Sequence, residues 1–287
     1  MTFARRAPFD WQLRTRSLAL GARTVVMGVL NVTPDSFSDA GAHFHTETAV
    51  AHAISMLDEG AVILDIGGES TRPGAQPLSP REEQDRILPV MAAILRERPQ
   101  SVLSVDTYHA ATARAAVTAG AEVINDVSGF AWDGKFAGTC AELGCGVILM
   151  HTRGRPTEWR TLPRLAPNQV VPLVKDGLFQ ALDRADTAGI ARSRIVLDPG
   201  FGFGKVHDEN YPLLAHLDEL LALGQPLLAG VSRKSFLGRA VPPAQRGNAT
   251  LAATTAAILA GASLVRVHDV RPAVEAAAIA DAILSSQ

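Results

Sequence analysis

Apolar residues along the chain gather into eight short runs: TVVMGVL (24–30), AVILDIG (61–67), SVLSVDT (101–107), AEVINDV (121–127), GVILMH (146–151), RIVLDPG (194–200), PLLAGVS (226–232) and SLVRVHD (263–269). Each is nearly continuous in Val, Ile and Leu instead of alternating with polar residues, the pattern of a strand covered on both faces. Between the runs lie stretches with helical spacing. TETAVAHAISMLDEG sets Val50, Ile54 and Leu57 on one face, and HAATARAAVTAG, NYPLLAHLDELLALG and NATLAATTAAILAGA read the same way. Gly60, Gly120, Gly189, Gly224 and Gly261 stand where left-handed C-terminal caps are expected. Strand followed by helix, about eight times over, predicts an α/β protein with a parallel sheet and right-handed crossovers. At this length the expectation is a single-domain (β/α)8 TIM barrel over residues 24–287, with residues 1–23 as an N-terminal leader. A doubly wound open sheet is the alternative, but no Gly-rich dinucleotide fingerprint follows the first strand.

Composition narrows the picture. The 287 residues are 47% hydrophobic and 20% charged, which suits a globular chain with a large core, and the net charge of −2 does not suggest a nucleic-acid binder. No apolar run approaches the roughly 18 residues of a membrane span. Cys140 and Cys145 lack partners at zinc-binding spacing and read as buried free thiols of a cytoplasmic protein.

The strand ends are unusually polar. In order they offer Asn31, Asp65, Asp106, Asn125 with Asp126, His151, Asp198, then Ser232, Arg233 and Lys234, then Arg266 and His268. In a barrel these groups converge on the C-terminal rim, where chemistry is sited. One such residue reads as a helix cap or turn, but nearly every strand ends this way. Asp106, Asn125, Asp198 and Lys234 suit a flat heterocycle with amino and lactam edges, since a carboxylate accepts two parallel N–H bonds from a guanidine-like edge. Arg266 and His268, two apart on a strand, share a face and with Asn31 could hold a phosphate or diphosphate. The first apolar run stops at Asn31, and the long loop that follows carries Asp35, Phe37 and Asp39. DIGGESTRPGAQPLSP (65–80) is a second long loop that could close over a reacting centre, with Arg72 reaching a leaving group. In DPGFGFGK (198–205), Lys205 precedes Val206, so the phosphate-loop spacing fails; its glycines place Phe201 or Phe203 at the rim instead.

The ordered motifs MGVLNVTPDSFSDAG, DIGGESTRPG, SVDTY, INDVSG, LDPGFGFGK, GVSRKSF and RVHDV, spread over about residues 24–284, resemble the dihydropteroate synthases, folate-pathway enzymes targeted by sulfonamides. The resemblance implies a Mg2+-dependent, homodimeric (β/α)8 barrel that joins 6-hydroxymethyl-7,8-dihydropterin diphosphate to p-aminobenzoate by loss of diphosphate, then amine attack. It further implies that Asp106, Asn125, Met150, Asp198 and Lys234 bind the pterin, and that Asn31, Arg266 and His268 hold the diphosphate, with Asn31 near the metal. Phe37, Thr71, Pro73, Phe203, Ser232 and Lys234 would form the aminobenzoate site. Asp35, Arg72, Lys234, Arg266 and His268 would serve catalysis. The chain departs from the family at Ala40, where Gly is usual before Gly41, and in the segment TRGRPTEWRTLPRL (152–165), onto which no function carries. Two other readings are a methyltetrahydrofolate methyltransferase, which needs neither the SRKSF nor the loop motifs, and a paralogue that binds pterin without turnover.

Overall fold

A computed structural model describes residues 3–33, 42–69, 77–238 and 241–286, without the side chains of 42–45. Eight parallel strands close a barrel: β3 Val25–Asn31, β4 Ile63–Gly67, β5 Val102–Asp106, β6 Val123–Asp126, β7 Gly146–Met150, β8 Ile195–Asp198, β9 Leu227–Ala229 and β10 Ala262–Val267, with β10 pairing β3 to complete the ring. A helix follows each: α1 Ala42–Asp58, α2 Pro80–Glu97, α3 Ala110–Thr118, α4 Phe136–Leu143, α5 Pro167–Thr187, α6 Asn210–Ala215, α7 Gly247–Leu259 and α8 Val270–Ser285. All eight apolar runs are barrel strands. The five glycines expected to close helical segments have positive φ, from +74° at Gly224 to +110° at Gly120, which a Cβ would strain.

One expected helix is interrupted. The NYPLLAHLDELLALG segment is α-helical only through α6. His216 then leaves helical geometry at φ −121° and ψ 31°, and Leu217–Leu223 continues as a 3-10 helix. Leu217 and Leu220 are both buried there, three apart, as the tighter period of that helix requires.

Residues 3–23, the described part of the segment set apart in the sequence as a leader, carry an antiparallel hairpin, β1 Phe9–Gln12 and β2 Ser17–Leu20. Its Trp11, Leu13 and Leu20 pack in one buried cluster with Val25, Met27, Ile63, Val102, Val123, Ile148, Val196, Leu228 and Leu264. Those nine lie near the starts of the barrel strands, so the hairpin closes the floor. Trp11 is fully buried and its Nε1 donates to the Arg194 carbonyl at 2.8 Å.

Successive residues of a strand point to opposite faces of the sheet. Within every strand the next residue on the floor-facing side is two positions on. From Ile63, Val102, Val123, Ile148, Val196, Leu228 and Leu264, that step reaches Asp65, Ser104, Asn125, Met150, Asp198, Gly230 and Arg266. Five of these seven are polar, so the barrel interior turns from dry to largely polar in one layer, on the side of the rim.

Candidate active site

Asp65 is the hub of that layer. It is fully buried, and its carboxylate accepts from Ser104 Oγ at 2.6 Å, Asn125 Nδ2 at 2.9 Å and Arg266 Nε at 2.6 Å. Arg266 forks, because its second nitrogen donates to Asp106 Oδ2 at 2.9 Å. Burial disfavours the charge on Arg266, but Asp65 and Asp106 together hold its pKa above the usual value. Four strands, β4, β5, β6 and β10, are thus tied across the barrel by one guanidinium and one carboxylate. Sequence reading counted Asp65 among the polar strand ends but gave it no task, and it passed over Ser104.

Asp106 is pushed up to about 7. Burial is the main cause; Arg266 opposes it and Asp65 adds to it. Asp198 is also raised by burial, against the Gly200 N–H, which donates to its Oδ1 at 2.7 Å, and against Lys234. Burial, then the neighbouring Arg266, brings Lys234 down to about 8. Its Nζ lies 4.1 Å from the centre of the Phe203 ring, a cation–π contact. Met150 and Val127 pack with Phe203 at the same wall.

The anion set forms beside this floor. Ser232 Oγ accepts the His268 backbone N–H at 3.3 Å and lies 2.9 Å from His268 Nδ1. In the tautomer whose Nδ1 accepts from the Ser232 hydroxyl, the Nε2 proton of the imidazole is left as a donor. Burial, then Arg266, lowers His268 to about 3, so it is neutral. It offers a hydrogen bond, and the positive charge of the pair comes from Arg266. Asn31 ends β3 opposite Gly67, whose neighbour across β5 is Asp106. Arg233, between the two functional candidates of SRK, pairs with Asp269 at 2.6 Å and holds φ +57°.

The residues brought together are therefore Asp106, Asn125, Met150, Asp198, Phe203, Lys234 and Arg266, which line one cavity; Asn31, Ser232 and His268 are not among its lining residues, and the last two contact each other. Only about 20 Å3 is open in it, because Arg266 reaches inward to two carboxylates. A larger hollow of about 920 Å3 lies outside the barrel between α1 and α2, lined by Val50, Ile54 and Ala93. Glu47, Asp58, Glu59, Arg96, Glu97 and Arg271 also line it, but none of them comes from a barrel strand. Phe201, the other aromatic candidate, also lines the rim cavity, and it is buried and stacks on Phe236. Asp35, Phe37, Ala40, Gly41, Thr71, Arg72 and Pro73 lie outside the described residues. Within the second loop, Glu69 accepts the Leu78 N–H at 3.0 Å and the Tyr108 hydroxyl at 2.8 Å.

Comparison with known proteins agrees with this geometry. The sequence model of the pterin binding enzyme family matches residues 27–268. A Bacillus subtilis dihydropteroate synthase is 41% identical over 94% of this chain and 92% of its own. A Xanthomonas albilineans dihydropteroate synthase solved with 4-aminobenzoic acid has a TM-score of 0.88 at 42% identity, covering 96% of this chain and 98% of that one. The enzyme from the same organism in complex with 7,8-dihydropteroate has a TM-score of 0.83 at 40% identity, with the same coverage. The chain belongs to the pterin-binding enzyme family, among its dihydropteroate synthases.

Proposed function

We propose that this chain condenses 6-hydroxymethyl-7,8-dihydropterin diphosphate with p-aminobenzoate to give 7,8-dihydropteroate and diphosphate. The observation that carries the reading is the cavity that Asp106, Asn125, Asp198 and Lys234 line together with Arg266, which pairs with Asp106, at the rim of a barrel of this family. The carboxylates and the amide suit the donor and acceptor edges of a pterin, and Met150 offers an apolar face for its ring. Arg266 now pairs with Asp106. Entry of the heterocycle requires the guanidinium to release that carboxylate, and the diphosphate gives it a new partner. Substrate charge and ring recognition are coupled in this way.

The bond from the pterin methylene to the diphosphate oxygen breaks first. Arg266 and the neutral His268 stabilise the departing oxygens, one by charge and the other by an N–H. Nearby carboxylates stabilise the methylene cation, and the aniline nitrogen then bonds to it and loses a proton to water or diphosphate. Phe203, Ser232 and Lys234, with Phe37, Thr71 and Pro73, are assigned to the aminobenzoate, and Asp35 and Arg72 to assistance from the two loops. Mg2+ would be held by Asn31 and supplies further positive charge to the diphosphate. The described residues contain no group of three His, Cys, Asp or Glu side chains able to hold a metal. A single amide oxygen fits an ion that keeps its waters and is bound chiefly by phosphate oxygens.

No described helix is long and apolar enough to cross a membrane. We place the enzyme in the cytoplasm as a homodimer, a state that sedimentation would check. Turnover is tested by diphosphate release and chromatographic detection of dihydropteroate, with each substrate omitted in turn. Dihydropteroate is expected only with both substrates. Tight pterin binding with no dihydropteroate would replace the synthase by a paralogue that kept the pocket alone.

A further inference from the structure

Lys205 is buried, and none of the steps above uses it. It ends the loop 199–205 that leaves β8. Its Nζ donates to the Phe203 carbonyl at 3.1 Å and to His151 Nδ1 at 2.9 Å. His151, at the exit of β7, is held neutral by burial and by the charges of Lys205 and Arg153, so that nitrogen can accept. The His151 backbone N–H donates to the Asp198 carbonyl at 2.9 Å, at the end of β8. His151 thus joins the end of β8, through its backbone, to the last residue of the loop, through its imidazole.

The surroundings are shaped for this junction. A Cβ on Gly177, in the interior of α5, would run into the His151 ring. Glycine weakens a helix interior, and here it admits the imidazole. A Cβ on Gly200 would overlap the His151 carbonyl oxygen. Asn210, at the start of α6, donates to the Lys205 carbonyl at 3.1 Å and accepts the Gly202 N–H at 2.7 Å. The backbone of residues 202, 203 and 205 is therefore pinned on both sides of Phe203.

We propose that Lys205 and His151 are positioning residues for the amine substrate: their contact fixes the 199–205 loop so that Phe203, under Lys234, presents a rigid wall to the aminobenzoate ring. This rests on the assignment of Phe203 to the aminobenzoate site. A held aromatic wall keeps the attacking nitrogen near the methylene, and displacement of such a wall lowers the fraction of productive encounters.

The test is steady-state kinetics of the full chain with Mg2+ and both substrates, on Lys205→Met, His151→Leu, His151→Gln and Phe203→Ala. Lys205→Met and His151→Leu are expected to raise the KM for p-aminobenzoate about tenfold and to leave that for pterin diphosphate within about twofold. The double variant should be no worse than either single, because the two act as one unit. His151→Gln keeps an acceptor for Lys205 and should recover most of the loss. A lowered melting temperature with both KM values unchanged would make the pair purely structural and overturn the proposal, as would an equal rise in both. If Phe203→Ala raises the aminobenzoate KM but Lys205→Met does not, the positioning role alone fails. If Phe203→Ala has no effect, the assignment of Phe203 fails and the inference falls with it. Should Lys205→Met not fold, Gly177→Ala presses on the imidazole without touching the loop, and an unchanged aminobenzoate KM there would be equally fatal.

Discussion

Asp106 shows what a polar residue costs at this rim. Its carboxyl titrates at about 7 in the folded chain, mainly through burial, against a reference of 3.8. Between those values the folded chain binds more protons than the unfolded one, so the stability this residue contributes falls as pH rises through that window. Asp106→Asn removes the charge while keeping an oxygen for Arg266, which also retains Asp65. The variant is therefore expected to be more stable than the parent at pH 8 in urea unfolding, with the gap closing toward pH 4, and to lose at least about tenfold in turnover. A parent that is the more stable of the two at pH 8 would mean that the ion pair outweighs burial. Asp65 marks the limit of reading single residues from sequence. Its strand-end position was visible, but its partner Arg266 lies 201 residues away, and only the closed ring brings them to 2.6 Å.

At the level of elements, the barrel strands were legible because both their faces are covered, which leaves an apolar run that loops and surface helices do not imitate. The site within them was legible because polar residues interrupt those runs at the position two beyond the floor layer. Most interruptions fall on inward-facing residues, as Asp65 does beyond Ile63 and Asp198 beyond Val196; Asp126, next to inward-facing Asn125, faces the other way. The floor hairpin was not legible. Its strands have four residues each, and Arg14 and Arg16 in the turn hide the alternation of Trp11, Leu13, Leu18 and Leu20. That hairpin supplies stability at the end away from the chemistry. Trp11→Ala is expected to cost about 3–5 kcal/mol in urea unfolding, through the cavity it leaves and the lost bond to Arg194. The kcat at 15 °C should stay within about twofold, since a floor cavity leaves the rim in place. A kcat that falls in step with stability would show that the floor and rim move together.

For the whole molecule, a net charge of −2 gives no general attraction for two anionic substrates, so their charge must be met locally. Arg266 and Lys234 supply two positive charges within a rim that also holds Asp65, Asp106 and Asp198, and His268 adds none. Among the described residues this balance does not neutralise a diphosphate, and we propose that a metal entering with the substrate supplies the rest. The described residues offer it Asn31 and no acidic cluster. The free protein should therefore have little affinity for Mg2+, and the ion should bind when pterin diphosphate supplies the other oxygens. A ligand that binds only the folded state raises the melting temperature in proportion to its occupancy. Mg2+ alone at a few millimolar, a range typical of weakly held magnesium, is expected to leave the melting temperature unchanged. Pterin diphosphate should raise it, and raise it further with Mg2+ present. EDTA should weaken the response to pterin diphosphate while sparing that to 6-hydroxymethylpterin, which has no diphosphate to share with the ion. A clear shift with Mg2+ alone would place a preformed metal site in the protein, and an EDTA effect of equal size on both pterins would separate the metal from the diphosphate.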